Sequence, residues 1–196
     1  MSRTRLVATV LTASLALTAC GGNDDKKADD ATSSDSAPAV AASTGEEQST
    51  SDFSFNAPDG WKANDGSAAP SINFEVLAID PDDKDGFSDN VNVVSEPAIA
   101  RYDDLDDRAK AAEKGLAGLQ TEGLKVDEPV TVDGEDAAVI SATATAGGGQ
   151  YDIIQYYVSH GDDKGYVVTF SFSTDRPEAE QQEIAQSVAA SWKWKS

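Results

Sequence analysis

Apolar and polar residues alternate with a period of two through much of the chain beyond Phe53, and in two places that rhythm gives way to the three-and-four spacing of an amphipathic helix. A two-residue period places successive side chains on opposite faces of a strand, so each alternating run bounded by Gly, Pro, Asn or Asp predicts a strand with one face turned to a core. Phe53-Ser54-Phe55-Asn56 is the first run and stops at Ala57-Pro58-Asp59-Gly60. In the second, Ile72, Phe74, Val76 and Ala78 share one face, opposite Asn73, Glu75, Leu77 and Ile79. Val91 and Val93 mark a third, after the polar loop from Asp80 to Asn90. Strands are then expected from about Lys125 to Val132 and from Ala137 to Ala146, joined through Asp133-Gly134, a pair suited to the positive φ angles of a tight hairpin. Gly147-Gly148-Gly149 leads into Tyr151 to Ser159, and the turn from His160 to Gly165 leads into Tyr166 to Ser173. In that final strand Tyr166, Val168, Phe170 and Phe172 form an oily face, while Val167, Thr169, Ser171 and Ser173 form one able to meet water or a partner.

The first helix is expected from about Asp104 to Gln120, with Leu105, Ala109, Ala112, Leu116 and Leu119 along one stripe. Asp103, Asp104, Asp106 and Asp107 crowd its start, where free amides and the helix dipole favour carboxylates, so this acidic cluster reads as capping. The second helix follows Asp175-Arg176-Pro177-Glu178, read as an N-cap aspartate, a first-turn proline and the far side of a capping box, and ends near Trp192. Ile184, Val188 and Trp192 would pack on the oily sheet face. Strands grouped in an antiparallel meander with helices before and after predict an α+β fold, and residues 53–196 are enough for one domain with its own core.

Ahead of that domain the chain changes character twice. Arg3 and Arg5 precede an apolar stretch from Leu6 to Leu17, which is short of the roughly 20 residues that a membrane-crossing helix needs. It closes on Leu17-Thr18-Ala19-Cys20, small residues before the single cysteine of the chain. This is a lipobox: residues 1–19 resemble a bacterial lipoprotein signal peptide, which implies diacylglyceryl transfer to the Cys20 sulfur and cleavage between Ala19 and Cys20. A thioether at Cys20 is neither nucleophile, disulfide partner nor metal ligand, and no second thiol exists. Residues 20–52 carry Ala, Ser, Thr, Asp and Glu with no aromatic side chain, too little apolar surface to offset the entropy of ordering, so a disordered acidic tether is expected. Its mean span would be roughly 30 Å. The expected location is the outer leaflet of the bacterial cell membrane, facing the extracytoplasmic space, with the acyl chains on Cys20 as the membrane contact.

Loss of Arg3 and Arg5 with the signal leaves 35 acidic against 13 basic side chains, where the whole chain carries a net charge of −20. Such a surface repels phosphate, and its Lys and Arg residues form no stripe, so no nucleic acid is expected as a partner. Candidate chemistry is sparse. Asp80-Pro81-Asp82-Asp83-Lys84-Asp85-Gly86 is similar to a calcium loop, but with Gly86 at loop position six, Pro81 and Asn92 stand where the first aspartate and the final glutamate belong. His160 is the only histidine and falls in a hairpin turn, which leaves no Ser-His-Asp set, and zinc lacks its usual donors. No catalytic residue, metal site or cofactor is expected. Two carboxylates acting on a glycan stay open as an alternative, because their separation cannot be read from sequence.

The order Phe53-x-Phe55 to Pro58-x-Gly60-Trp61, then Phe87-Ser88-Asp89-Asn90-Val91-Asn92-Val93, a long helix, hairpins and a closing helix ending Ser191-Trp192-Lys193 resembles the LpqN-type lipoproteins of actinobacteria and, more distantly, the Mog1/PsbP-like domain. The resemblance implies an antiparallel sheet flanked by helices, an α/β/α sandwich serving as a non-enzymatic binding or accessory module of the envelope, whose protein partner or ligand stays unknown. It carries over no site residue. The alternatives are a lipid or glycolipid carrier with a hollow between sheet and helices, and a carboxylate-dependent envelope hydrolase. For a binding module, the expected surface is the polar sheet face of Thr169, Ser171 and Ser173 beside the polar members of the Tyr151 to Ser159 strand, together with the loop from Asp80 to Asn90.

Overall fold

The oily face of Tyr166, Val168, Phe170 and Phe172 lies at the centre of the molecule, with all four side chains buried. The computed structural model describes residues 40–67, 71–83, 87–146 and 148–196. In chain order the elements are β1 (Glu47–Ser49), β2 (Phe53–Asn56), β3 (Lys62–Ala63), β4 (Val76–Ile79), β5 (Asn90–Ser95), a 3-10 turn (Pro97–Arg101), α1 (Leu105–Leu116), β6 (Gln120–Val132), β7 (Glu135–Ala146), β8 (Gly149–His160), β9 (Lys164–Ser173), α2 (Glu178–Ser191) and β10 (Lys193–Trp194). Among the described residues, seven strands form one antiparallel sheet in the order β3-β4-β5-β9-β8-β7-β6, and β1-β2-β10 form a second, smaller one. The fold is α+β.

Alternation along the strands divides the core into two layers. On one face, α2 and the small sheet enclose Phe53, Phe55, Trp61 and Trp192 against the oily side of β9 and its neighbours. Trp192 stacks on Phe53 at 4.3 Å and on Phe55 at 5.2 Å between ring centroids. On the other face, α1 and the 3-10 turn pack over Ala138, Ile140, Ala142, Ala144, Ile153 and Tyr157. Three of those six are alanines of β7, whose small side chains let a helix backbone approach the sheet closely. Asp104 caps α1 by accepting from the Asp107 amide at 2.7 Å. Asp133 and Gly134 adopt φ of 48° and 91° in the β6–β7 hairpin, the left-handed pair such a turn requires. No helix among the described residues is long and apolar enough to cross a membrane.

Several expected boundaries move. The fold begins before Phe53: residues 40–52, placed by composition in the tether, are ordered against the domain. β1 pairs with β2, the Ser43 amide donates to the Ser187 carbonyl at 2.8 Å, and its hydroxyl donates to the Ala57 carbonyl at 2.6 Å. Backbone pairing, rather than apolar burial, secures this segment. The strand expected over residues 72–79 is ordered as strand only from Val76, since Ile72 is 49% exposed and the first hydrogen bond to β5 comes from the Glu75 amide. α1 stops at Leu116, because the chain turns through Gly118 straight into a β6 five residues longer than expected. Leu119, expected in the buried stripe, is 48% exposed. Asp175 does not cap α2: Pro177 is the cap position, with no side-chain acceptor there, and Glu178 binds Lys125 instead of closing a capping box.

Candidate functional site

Strand alternation also builds the surface opposite the oily face. Val167, Thr169, Ser171 and Ser173 of β9 face the α1 side, with Asn92 and Asn90 of β5 opposite Thr169 and Ser171. On the other flank Tyr157, Gln155, Ile153 and Tyr151 of β8 stand opposite Val167, Thr169, Ser171 and Ser173. Helix α1 lies over β7 and the 3-10 turn over one end of β8 and β9. Between them and the loop that enters β5, the face is left as a groove running along β9.

One end of the groove is a cavity of about 400 Å³ with walls from Val94, Ile99, Tyr102, Leu116 and Leu119 and a floor of Gln155, Tyr157, Val167 and Thr169. The floor is a polar relay: Tyr157 donates to Gln155 Oε1 at 2.7 Å, and Gln155 Nε2 donates to Thr169 Oγ1 at 2.9 Å. Burial pushes the Tyr157 phenol up to about 12, so it stays a neutral donor. The other end is a cavity of about 750 Å³ bounded by Phe87, Asn90, Gln150, Tyr151, Ser171, Ser173 and Asp175. Here Phe87 stacks on Tyr151, with ring centroids 5.1 Å apart and planes 15° from parallel.

Phe87 is held there by its neighbour. Asp89 is wholly buried; its Oδ1 accepts from the Ser173 amide at 2.7 Å and its Oδ2 from Arg176 Nε at 2.6 Å. Its own amide donates to Asp83 Oδ2 at 3.2 Å, and its carbonyl accepts from the Asp80 amide at 2.8 Å. Burial pushes the Asp89 carboxyl up, while the Ser173 amide and Arg176 pull the other way. The guanidinium also binds Glu180 of α2. This knot joins the loop before β5 to the β9–α2 connection and sets the rim on which Phe87 stands.

The sequence-predicted residues are thus partly reunited. Thr169, Ser171 and Ser173 do form a groove floor beside the Asp80 to Asn90 loop, but Ser171 is only 6% exposed, so the strip is recessed and not an open polar face. Asp80 and Asp83 accept from the amides of Asp82 and Asp89 within that loop. Among the described residues no three His, Cys, Asp or Glu side chains converge as a metal site would require. His160 ends β8 away from the groove, stacked on Trp194 at 5.0 Å with Nδ1 3.4 Å from Glu135 Oε1. Ala19 and Cys20 lie outside the described residues. Sequence reasoning took in Phe87 only as part of the Asp80 to Asn90 loop and Gln155 only among the polar members of the Tyr151 to Ser159 strand, and singled out neither. A signal existed for Gln155, a lone amide inside the apolar run Ile153-Ile154-Gln155-Tyr156-Tyr157, and none for Phe87, which sits in an acidic loop without periodicity.

No family model and no curated protein matches this sequence. Solved structures do match. The solution structure of cyanobacterial PsbP (CyanoP) from Synechocystis sp. PCC 6803 has a TM-score of 0.54 at 18% identity, covering 76% of this chain and 92% of its own. The crystal structure of LpqN, involved in cell envelope biogenesis of Mycobacterium tuberculosis, has a TM-score of 0.50 at 15% identity, covering 78% of this chain and 86% of its own. A crystal structure from Bacteroides thetaiotaomicron VPI-5482 has a TM-score of 0.46 at 18% identity and covers 74% of this chain, which spans only 45% of that one. At these identities the likeness to PsbP and LpqN shows the fold, a Mog1/PsbP-like antiparallel sheet between helices.

Proposed function

We propose that this chain is a non-enzymatic accessory module of the bacterial envelope, anchored at the outer leaflet through acylated Cys20 and acting by binding a partner in the groove along β9. The observation that carries the reading is the Phe87–Tyr151 stack standing over a recessed strip of amides and hydroxyls. Half-exposed aromatic rings beside hydrogen-bonding groups are what recognition uses as anchors, and they need no activated nucleophile or tuned acid. The lipobox from Leu17 to Cys20 supports the address, and the likeness in fold to a protein involved in cell envelope biogenesis is in keeping with it.

At one cavity the flanking carboxylates are already occupied by neighbouring donors. Asp152 and Glu178 border a cavity of about 250 Å³, but Asp152 accepts from Thr143 at 2.8 Å and Gln181 at 3.0 Å, and Glu178 from Lys125 at 2.6 Å. A lipid-carrier reading is favoured by one observation, the apolar walls of the 400 Å³ cavity between α1, the 3-10 turn and the sheet.

The test is crosslinking in intact envelopes with the wild type and with Phe87→Ala/Tyr151→Ala, after thermal melts show both folded. Loss of specific crosslinks in the variant supports the groove. Unchanged crosslinks sink it. Lipid released from the purified wild type by organic solvent, and absent from Leu116→Asp or Leu119→Asp, would instead establish the carrier.

A further inference from the structure

Resting on the groove as the binding site, we infer that its occupant is an extended, basic peptide segment of a partner protein, laid along β9 with one aliphatic and one aromatic or proline anchor. Four features carry this. The groove floor from Val167 to Ser173 is one strand, about 20 Å long at the rise of a β-strand, which matches an extended peptide of about six residues. Its two ends differ in chemistry: Ile99, Leu116 and Leu119 offer an aliphatic pocket, and Phe87 on Tyr151 offers a ring face.

Along the floor stand Gln155 at the aliphatic end, Asn90 at the aromatic end and Asn92 beside Thr169, carboxamides whose present partners are side chains and one loop carbonyl and which a peptide unit could engage in their place. Asn92 Nδ2 donates to Asn90 Oδ1 at 3.3 Å, a long contact that a better acceptor in the groove would replace. The charge is one-sided. Glu96 borders the aliphatic end and Asp175 the aromatic end, both exposed, on a chain of net charge −20, and the described lining of the two cavities includes no lysine or arginine. Lysine or arginine flanking the anchors would meet a carboxylate at each end and be drawn in by the field of the whole protein. Aliphatic walls at one end favour a leucine-like side chain over a sugar.

The experiment uses the full chain in detergent micelles and end-blocked heptapeptides with lysine at both ends, leucine second and proline or tyrosine fifth or sixth. Binding is measured by fluorescence anisotropy at low and high salt. At least one such peptide should bind, weaken at least tenfold in Phe87→Ala and in Leu119→Asp, and weaken about tenfold when both lysines become glutamate, with that last difference shrinking at high salt. Leu119 is exposed, so its variant should melt like the wild type and report on the groove alone. Binding of a neutral oligosaccharide that is lost in Phe87→Ala, with no peptide bound, overturns the peptide and leaves the groove standing as a binding site. Peptide binding unaffected by both groove variants, or by the charge reversal, overturns the inference as well. Failure of the envelope crosslinking described above would remove the groove itself.

Discussion

Arg176 Nε lies 2.6 Å from Oδ2 of Asp89, a carboxylate with no solvent exposure that also receives the Ser173 amide. Removing one member of a buried pair leaves the other charged and unpaired, which costs far more than the pair contributes. Arg176→Met should therefore destabilise the fold by about 3 kcal/mol, the lower part of the range because the guanidinium is partly open to solvent. Urea midpoints measure it. Burial already holds the Asp89 carboxyl above its ordinary value, and loss of Arg176 removes one of the opposing pulls, leaving the Ser173 amide, so the folded-state carboxyl rises further. The deficit relative to wild type should be largest at neutral pH and shrink as pH falls through the raised folded-state value, where the carboxyl takes up a proton. A deficit that does not change between pH 7 and pH 4 would contradict this account.

Asp133 behaves in the opposite sense. Lys193 Nζ at 2.6 Å and the Trp194 amide at 2.8 Å hold its carboxyl below the usual range. Its contribution is present above the unfolded value, near 3.9, and is lost as pH falls through the folded one. Asp133→Asn tolerates the same left-handed backbone, so the substitution isolates the charge. The difference in melting temperature between wild type and variant should be full at pH 7 and close below about pH 4.

The N-terminal segment offers a test of boundary. A chain beginning at Phe53 loses β1, the Ser43 contacts to Ala57 and Ser187, and Asp52, which accepts from the Tyr166 hydroxyl at 2.7 Å and lies 3.1 Å from Lys164. It should melt several degrees below a chain beginning at Val40. Equal melting temperatures would return residues 40–52 to the tether.

For the anchor, metabolic labelling with a fatty-acid analogue should mark the wild type, and Cys20→Ala should lose both label and membrane retention. A Cys20→Ala protein that stays with the membrane through high-salt washing would refute acyl attachment.

What could be read in advance follows from the range of the forces involved. Tyr166, Val168, Phe170 and Phe172 declared their face because alternation is a local property of a strand, and Asp133-Gly134 declared its turn because positive φ selects residue type. β1 was invisible because its stability comes from backbone pairing with β2, to which Glu47, Gln48 and Ser49 contribute no periodic signal. The second helix was placed correctly while its cap was not, since Arg176 and Glu178 are drawn to Asp89 and Lys125, residues distant in sequence. The groove was half legible for the same reason: the polar strip lies in one strand, whereas the ring that roofs it arrives from a loop tied down 87 positions away.

The small sheet has a kinetic meaning. β2 lies between β1 and β10, and the Asn56 amide at its end donates to the Ser191 hydroxyl, 135 positions further along. A polypeptide emerging amino end first from a ribosome or a pore can form the meander early, but it cannot cover Phe53 and Phe55 until Trp192 has also emerged. Closure of that layer waits for nearly the whole chain, as expected where contacts join residues distant in sequence. Until the last strand has formed, this aromatic surface stays open.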